Sequence, residues 1–271
     1  MRKLGIGQNE IVRIQDSGGP CPPLILLHGL ANSLEIWERV QPRLAHRFRL
    51  IAFDWPGFGE SSRPRGRYDG RFFATRLAAV MNALDIERAH LAGYSMGASA
   101  ILHFSDHNAD RIDHAILAAP GSFGRRVHPL MLAAAMPGIG AWLARPHHRN
   151  NRTTLRLAIH DPSQVTKDLQ DRTDRHAAIA GSARTFHSAL TAGVGLLGSR
   201  GITNMARRAQ AFPRPALLLW GANDRVFPVR NAARALRLMP DARLTMIPEC
   251  GHYPQWEQPD AFCDAVEHFL P

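Results

Sequence analysis

The chain has 271 residues, of which 45% are hydrophobic and 21% are charged, and its formal net charge is +10. This composition excludes a disordered or fibrous protein, and the length suits one α/β domain with an insertion or two small domains. No apolar run reaches the roughly 20 residues of a membrane-spanning helix. Because residues 1–7 are not followed by the apolar stretch of a secretory signal, we expect a cytoplasmic protein without a membrane span.

The cysteines and the basic charge limit the kinds of partner. The three cysteines, Cys21, Cys250 and Cys263, form no CxxC pair, so we expect neither a disulfide framework nor a metal site, and no cofactor. Thirteen Lys and Arg but only four Asp and Glu fall in residues 121–213. Since this segment has no run of five basic residues and little aromatic interleaving, we expect a small-molecule substrate and no nucleic acid.

In chain order, short apolar runs alternate with stretches of helical periodicity up to residue 120, and the alternation resumes after residue 213. Such a rhythm predicts a mostly parallel sheet covered by helices on both faces. The predicted strands are residues 23–27, 49–53, 90–92, 114–119, 216–220 and 242–247. The predicted helices are residues 34–45, 72–84, 96–107, 229–238 and 258–270.

Residues 121–213, called the insertion below, interrupt this rhythm. They contain two helix candidates, residues 128–144 and 164–196, and few β-branched runs that would extend the sheet. We therefore predict one α/β core made of residues 1–120 and 214–271, with the insertion as a mainly helical cap between its two parts.

The strongest local motif is Gly93-Tyr94-Ser95-Met96-Gly97, a G-x-S-x-G pattern between a predicted strand and a predicted helix. In this context the pattern predicts a nucleophile elbow, a sharp turn that strains the serine backbone and exposes its hydroxyl at the end of the sheet. The residues two before and two after the serine approach each other closely, which favours glycine at both positions. The first amides of the new helix also favour developing negative charge. We therefore predict that Ser95 is a nucleophile.

A serine hydroxyl needs a base, and the base needs an orienting acid. Enzymes that carry this elbow place the acid and then the histidine later in the chain. Asp224 and His252 occur in that order, and each follows a predicted strand. Because the carboxyl ends of parallel strands gather at one edge of a sheet, we predict a triad of Ser95, His252 and Asp224. Asp54 also follows a strand, but it precedes Ser95 and lies in a turn cluster, which indicates a turn-former.

Four further blocks complete a resemblance to a known family. They are Leu27-His28-Gly29-Leu30, Asp54-x-Pro56-Gly57-Phe58-Gly59-x-Ser61, Trp220-Gly221-x-x-Asp224 and Cys250-Gly251-His252-x-x-x-Trp256-Glu257-x-Pro259. With the elbow, they resemble capped serine hydrolases of the α/β-hydrolase superfamily over about residues 10–120 and 214–270, whereas the insertion matches only in position. The resemblance implies an α/β-hydrolase fold, with a mostly parallel eight-stranded sheet flanked by helices.

The resemblance also implies roles for individual residues. Ser95 would attack an acyl carbon, His252 would move the proton, and Asp224 would fix the imidazole. The backbone N–H groups of Leu30 and Met96 would hold the oxyanion. The residues expected at the substrate pocket are His28, Gly29, Tyr94, Trp142, Val226 and Tyr253. Of these, His28 is expected to brace the oxyanion loop rather than to act as a base.

The basic residues of the insertion suggest an anionic substrate or an acidic surface, with a solvated basic face as the alternative. The arginines that would face such a substrate are Arg125, Arg126, Arg145, Arg149 and Arg152.

The motifs leave several reactions open. The serine at the elbow argues against haloalkane dehalogenases and epoxide hydrolases, which use aspartate there. Hydrolysis of a small carboxylic ester through an acyl-serine is the first expectation, and lactonases, thioesterases, amidases and perhydrolases share its machinery. The histidine block also resembles hydrolases that split carbon–carbon bonds in aromatic ring-cleavage products, although those carry a second glycine where this chain has Leu30-Ala31-Asn32. A cofactor-free lyase or a ligand-binding receptor that kept the fold is the non-hydrolytic alternative. The sequence predicts no oligomeric state.

Overall fold

The computed structural model describes residues 1–7, 9–136, 140, 148–195 and 197–271, without the side chains of residues 148–150. An eight-stranded sheet lies at its centre and confirms the predicted fold class, and a two-stranded ribbon lies apart from it. The strands are β1 (Arg2–Gly5), β2 (Ile11–Asp16), β3 (Pro23–Leu27), β4 (Arg49–Phe53), β5 (Ala89–Tyr94), β6 (Ile112–Ala118), β7 (Val194–Gly195), β8 (Gly198–Ser199), β9 (Ala216–Gly221) and β10 (Ala242–Ile247).

The large sheet runs in the order β1-β2-β4-β3-β5-β6-β9-β10. All neighbours from β4 to β10 are parallel, and β1 and β2 join antiparallel at one edge. In the register of β3, Leu27 pairs with Phe53 of β4 and with Gly93 of β5. Because the carboxyl ends align in this way, the loops that follow the strands converge at one edge of the sheet.

The α-helices cover both faces of the sheet and form most of the insertion. They are α1 (Gln41–Leu44), α2 (Gly70–Ala83), α3 (Met96–Asn108), α4 (Pro129–Ala135), α5 (His148–Ala158), α6 (Lys167–Ala178), α7 (Ser182–Gly193), α8 (Ile202–Gln210), α9 (Arg230–Leu238), α10 (Pro254–Glu257) and α11 (Pro259–Phe269). Within the described ranges, no helix is long and apolar enough to cross a membrane.

The strands alternate their side chains between two apolar layers. In β3, Leu24 and Leu26 pack into one layer with Trp37, while Ile25 and Leu27 pack into the other. A strand that is buried on both faces has to be apolar at consecutive positions, which explains the continuous run that predicted it.

Most predicted core elements match the structure to within two residues, and the exceptions have local causes. The helix predicted over residues 34–45 is a short 3-10 helix, Leu34–Trp37, followed by α1. Pro42 lies in the first turn of α1, where its missing N–H is tolerated, but it cannot continue a helix from residue 34. The sequence does not predict β1 and β2, because charged residues such as Arg13 interrupt their apolar pattern.

The insertion also differs from its predicted helices. The helix predicted over residues 164–196 is split into α6 and α7, because Gly181 between them has a φ of +91°. The helix predicted over residues 128–144 begins as α4, and residues 137–139 and 141–147 lie outside the described ranges. The boundaries at residues 121 and 213 stay a prediction.

Candidate active site

The turn between β5 and α3 holds Ser95 in an unusual backbone conformation. Its φ is +54° and its ψ is −116°, a region that non-glycine residues rarely adopt and that stores strain. The turn is tight enough that a Cβ on Gly93 would lie 2.5 Å from the carbonyl carbon of Gly97 and 2.6 Å from the nitrogen of Ala98. Glycine is therefore required at position 93, and the local sequence explains how the serine is presented at the end of the sheet.

Asp224 and His252 meet in the loops that follow β9 and β10. Nδ1 of His252 lies 2.8 Å from Oδ2 of Asp224, and both side chains are buried. The other carboxylate oxygen, Oδ1, accepts hydrogen bonds from the backbone N–H groups of Val226 at 2.8 Å and Phe227 at 2.9 Å. Because the Asp224 carboxylate acts only as a hydrogen-bond acceptor, it orients the imidazole through Nδ1 and leaves Nε2 of His252 for proton exchange.

Glu257 fastens the loop that carries His252. Its carboxylate accepts hydrogen bonds from the backbone N–H groups of Gly251 at 3.0 Å and Tyr253 at 3.1 Å, the two neighbours of His252. It also accepts one from the N–H of His160, just after α5, at 2.6 Å. Burial raises the pKa of Glu257, and these backbone donors act in the opposite direction. The loop of the histidine is therefore tied to the insertion.

Two aromatic residues connect the surroundings of Ser95 with those of His252. The ring of Phe227 lies 5.3 Å from the His252 ring, and Phe227 and Ser95 line one cavity. Tyr94, beside the serine, contacts the His252 ring edge-on at 6.2 Å between centroids. The hydroxyl of Ser95 makes no hydrogen bond with His252 among the described residues, and such bonds often tighten only when substrate binds.

The loop after β3 lies against the elbow. A Cβ on Gly97 would collide with the carbonyl oxygen of Leu27 and lie 2.8 Å from that of His28, so glycine permits this close approach. Leu30, which follows in that loop, lines the same cavity as Ser95 and Met96. Met96 is the first residue of α3, and the first N–H groups of a helix have no partner within it. The arrangement suits two backbone donors to an oxyanion, as predicted for Leu30 and Met96.

His28 braces this loop. Its Nε2 accepts a hydrogen bond from the Trp55 N–H at 3.0 Å, and its Nδ1 lies 2.8 Å from the carbonyl oxygen of Gly29. The side chain is fully buried, and burial lowers its pKa to about 4 against the opposing effect of Asp54. These contacts describe a structural histidine.

This burial predicts a fall in stability on mild acidification. The pKa of His28 is below the value of about 6.5 for an unfolded chain, so stability is full above pH 6.5 and is lost as pH falls towards 4. From pH 7 to pH 5, His28 alone should lower the free energy of unfolding by about 2 kcal/mol. Burial also lowers the pKa of His103 to about 4 and adds to the loss. Urea denaturation at several pH values measures it.

The carboxylate of Glu35 does not add to this loss, because it gives up its proton well below this pH window. Burial raises the pKa of Glu35, but hydrogen bonds from Arg13 and Ser33 outweigh it and the pKa is about 2. A free energy of unfolding that stays constant between pH 7 and pH 5 would contradict the assignment to histidine. Replacement of the exposed His268 by Gln should leave the pH dependence unchanged.

Two cavities share Leu30 in their lining. The first, of about 500 Å³, is lined by Ser95, Met96 and Phe227 and extends over α3. The second, of about 110 Å³, lies between the oxyanion loop and the insertion and is lined by Asn32 and Tyr253, among others. Leu30 lines both, so a group held at the oxyanion loop has space on two sides.

The predicted pocket residues occupy different places. Tyr253 lines the second cavity. His28, Gly29 and Tyr94 lie behind the cavity wall, and the Tyr94 ring is the group that a Cβ on Gly29 would strike. Val226 lines neither cavity and instead donates its N–H to Asp224. Trp142 lies outside the described residues.

The arginines proposed for an anionic substrate are also placed differently. Arg125 lines a separate depression, Arg126 and Arg152 are exposed away from both cavities, and Arg145 and the side chain of Arg149 lie outside the described part of the chain. The arginines that line the first cavity are Arg67, Arg71, Arg200 and Arg208. Arg67 and Arg71 belong to the core, so the excess of basic residues in the insertion gives no indication of them.

Sequence reasoning missed two residues of α3, Ser99 and His103, that line the first cavity. They follow Ser95 at intervals of four, so helical periodicity from the elbow could have identified them. Among the described residues, no three His, Cys, Asp or Glu side chains gather as metal ligands would, and all three cysteines are free.

The fold and this site define the class of protein. A family model described as alpha/beta hydrolase fold matches residues 22–259 of the chain. Since this is most of its length, the chain belongs to the α/β hydrolase fold family, and it is a hydrolase.

Several relatives are similar over nearly the whole chain. The 2-hydroxy-6-oxononadienedioate/2-hydroxy-6-oxononatrienedioate hydrolase of Cupriavidus pinatubonensis is 28% identical over 96% of this chain and 90% of its own. The 2-hydroxy-6-oxo-6-phenylhexa-2,4-dienoate hydrolase of Burkholderia cepacia is 28% identical over 97% of this chain and 88% of its own. A solved structure of a meta-cleavage product hydrolase from Pseudomonas fluorescens IP01 superposes with a TM-score of 0.84. It is 26% identical and covers 99% of this chain and 97% of its own.

Proposed function

We propose that this chain is a serine hydrolase that cleaves the carbon–carbon bond beside a ketone, in substrates of the 2-hydroxy-6-oxo-dienoate class. The observation that carries the proposal is the pair of cavities on either side of Leu30. A ketone with its oxygen at the oxyanion loop has two carbon substituents, and each cavity can accept one. The names of the relatives from Cupriavidus pinatubonensis and Burkholderia cepacia support this substrate class.

The second cavity has the chemistry for the dienoate arm. Arg63 lines it and donates hydrogen bonds to Ser182 Oγ at 3.1 Å and to the carbonyl oxygens of Ser61 and Gly59 at 2.9 and 2.7 Å. None of these partners is a carboxylate, so its positive charge is not neutralised by an ion pair among the described residues. A carboxylate or an enolate in this cavity would be stabilised by the positive charge of Arg63.

The reaction proceeds through an acyl-serine. The Ser95 hydroxyl adds to the ketone carbon while Nε2 of His252 takes its proton. The N–H groups of Leu30 and Met96 bind the oxyanion, and each lowers the barrier by about 2.7–4 kcal/mol. The 2-hydroxyl proton has by then moved to the carbon beside the ketone, so the carbon–carbon bond breaks to leave a delocalised dienolate. The dienolate oxygen takes the proton from His252. Water, deprotonated by His252, adds to the acyl carbon, and Ser95 leaves with that proton. The products are a carboxylic acid and the protonated dienoate.

Hydrolysis of a small carboxylic ester is the second candidate. The loop Leu30-Ala31-Asn32 favours it, because it lacks the second glycine of the carbon–carbon hydrolases and Ala31 adopts a φ of +58°, where glycine is less strained. The ester reaction uses the same residues, with an alkoxide as the leaving group.

A substrate panel tests the proposal. We expect wild type to hydrolyse 2-hydroxy-6-oxo-6-phenylhexa-2,4-dienoate with a kcat/KM above that for p-nitrophenyl acetate or butyrate. Hydrolysis of the dienoate is measured by the loss of its absorbance. Ser95→Ala should lower kcat by about 10³-fold or more, because the nucleophile is lost. Ser105→Ala, on the same helix with its hydroxyl bonded to the Leu102 carbonyl, should match wild type.

The outcomes separate the candidates. Turnover of the esters alone would reject the carbon–carbon reaction and support the ester reaction. Full activity of Ser95→Ala on any substrate, or no turnover of the whole panel by wild type, would reject the acyl-serine mechanism.

A further inference from the structure

One face of α3 forms a wall of the first cavity and carries it away from the nucleophile. Ser95, Ser99 and His103 all line the cavity and are spaced four residues apart, so they lie on one side of the helix. At 1.5 Å per residue, the eight residues from Ser95 to His103 span about 12 Å. The cavity therefore reaches well beyond the space needed for a carbonyl group and its oxyanion.

The far end of this wall is flanked by two arginines from different elements. The start of α2 packs on His103, since a Cβ on Gly70 would collide with the His103 ring, and Arg71 follows directly. From the other side, α8 places Arg208 beside α3, where its Nε lies 2.7 Å from Oδ2 of Asp106. Both arginines line the cavity.

The charges along the cavity are unbalanced. Arg67, Arg71, Arg200 and Arg208 line it, against one acidic residue, Asp69. Asp69 is already engaged, because its carboxylate caps α2 at Phe72 and lies 3.5 Å from Arg67. Arg71 and Arg200 make no ion pair or hydrogen bond through their side chains with any described residue. Arg208 pairs with Asp106 through its Nε alone. Its Nη groups therefore keep N–H donors for a planar oxyanion, as does the whole guanidinium of Arg71.

We propose that this end of the first cavity is an anion subsite in which Arg71 and Arg208 bind a carboxylate on the substrate arm that remains attached to the carbonyl at Ser95. The preferred substrate arm then ends in a carboxylate about 12 Å from the reacting carbon. This inference rests on the proposed function only in placing the acyl carbon at Ser95. His103 adds a neutral hydrogen-bonding ring, because burial lowers its pKa to about 4.

Binding of simple acids tests the subsite without any turnover. Calorimetry on the wild-type chain compares unbranched diacids, from succinate to sebacate, with the monoacids of the same carbon count. We expect the longer diacids to bind about tenfold tighter than their monoacids, because a charge-assisted pair with arginine is gained. The preference should shrink at high salt. Short diacids that cannot span the cavity should show little preference.

Substitutions locate the charge that is responsible. Arg71→Gln and Arg208→Gln should each reduce the diacid preference several-fold and leave monoacid affinity unchanged. Arg71 is exposed and unpaired, so its replacement should not disturb folding. Arg230→Gln removes an exposed arginine outside the cavity and should leave the preference intact.

Two results would overturn the subsite. One is equal affinity for diacids and monoacids at every length, and the other is a diacid preference that survives both Arg71→Gln and Arg208→Gln. If wild type hydrolyses the phenyl dienoate but binds diacids and monoacids equally, the subsite is rejected and the proposed function is kept. If both variants lose the diacid preference but wild type hydrolyses no substrate, the subsite is kept and the proposed function is rejected.

Discussion

Asp224→Asn is expected to lower kcat by about 10⁴-fold while the fold stays intact. The structure specifies how this happens. Oδ1 of Asp224 accepts the N–H groups of Val226 and Phe227, so the one oxygen of an asparagine has to stay there. Its amide nitrogen then faces Nδ1 of His252 and donates to it. The imidazole is forced to carry its proton on Nε2, and it can no longer accept the proton of Ser95.

The measurement is steady-state kinetics on whichever substrate wild type turns over, with thermal unfolding as a check on folding. Asp260→Asn makes the same chemical change on an exposed aspartate at the start of α11, and it should keep full activity. If Asp224→Asn retained more than about a tenth of wild-type kcat, the proposed role of Asp224 would be wrong.

Asp54→Ala is expected to lower the free energy of unfolding by about 3–5 kcal/mol. Asp54 is fully buried in the turn after β4 and accepts hydrogen bonds from Arg13 Nε at 2.6 Å, the Leu34 N–H at 2.8 Å and the Glu60 N–H at 2.8 Å. Alanine removes the carboxylate that accepts all three hydrogen bonds. It leaves two amides and the Nε of Arg13 without an acceptor, while the Nη groups of Arg13 keep Glu35. The turn that the sequence predicted is therefore also the anchor of the chain around Leu34.

Urea denaturation of Asp54→Ala and wild type measures this loss. Asp171→Ala is a suitable comparison, because it removes an aspartate from an exposed pair with Lys167 and should cost less than about 1 kcal/mol. Equal losses in the two variants would mean that the buried network around Asp54 contributes no more than a surface ion pair.

The two halves of the core and the insertion contribute to one site. Besides the bonds of Glu257, the backbone N–H of His252 donates to the Ala158 carbonyl at the end of α5, at 2.7 Å. A movement of α5 is therefore coupled to the position of the histidine. The insertion thus has two roles in the structure, since it supplies walls for both cavities and holds the histidine loop.

The sequence by itself determined the fold class and the order of the chemical groups. Strands that are buried on both faces have to be apolar without interruption, and a turn as tight as that at Ser95 requires glycine at positions 93 and 97. Asp224 and His252 could be selected among many aspartates and histidines because each directly follows a predicted strand. These signals are local in the chain, and local physics explains each of them.

Only the tertiary structure decided which side chains surround a substrate. His28, Gly29 and Tyr94 are adjacent in sequence to the predicted oxyanion donors or nucleophile, yet packing places them behind the cavity wall. The arginines of the first cavity come from the loop before α2, from the start of α2, from α8 and from the segment before α8. These parts converge only when the helices pack on α3. A cavity is the space left between packed elements, and its lining depends on contacts between residues far apart in the chain, which no local pattern encodes.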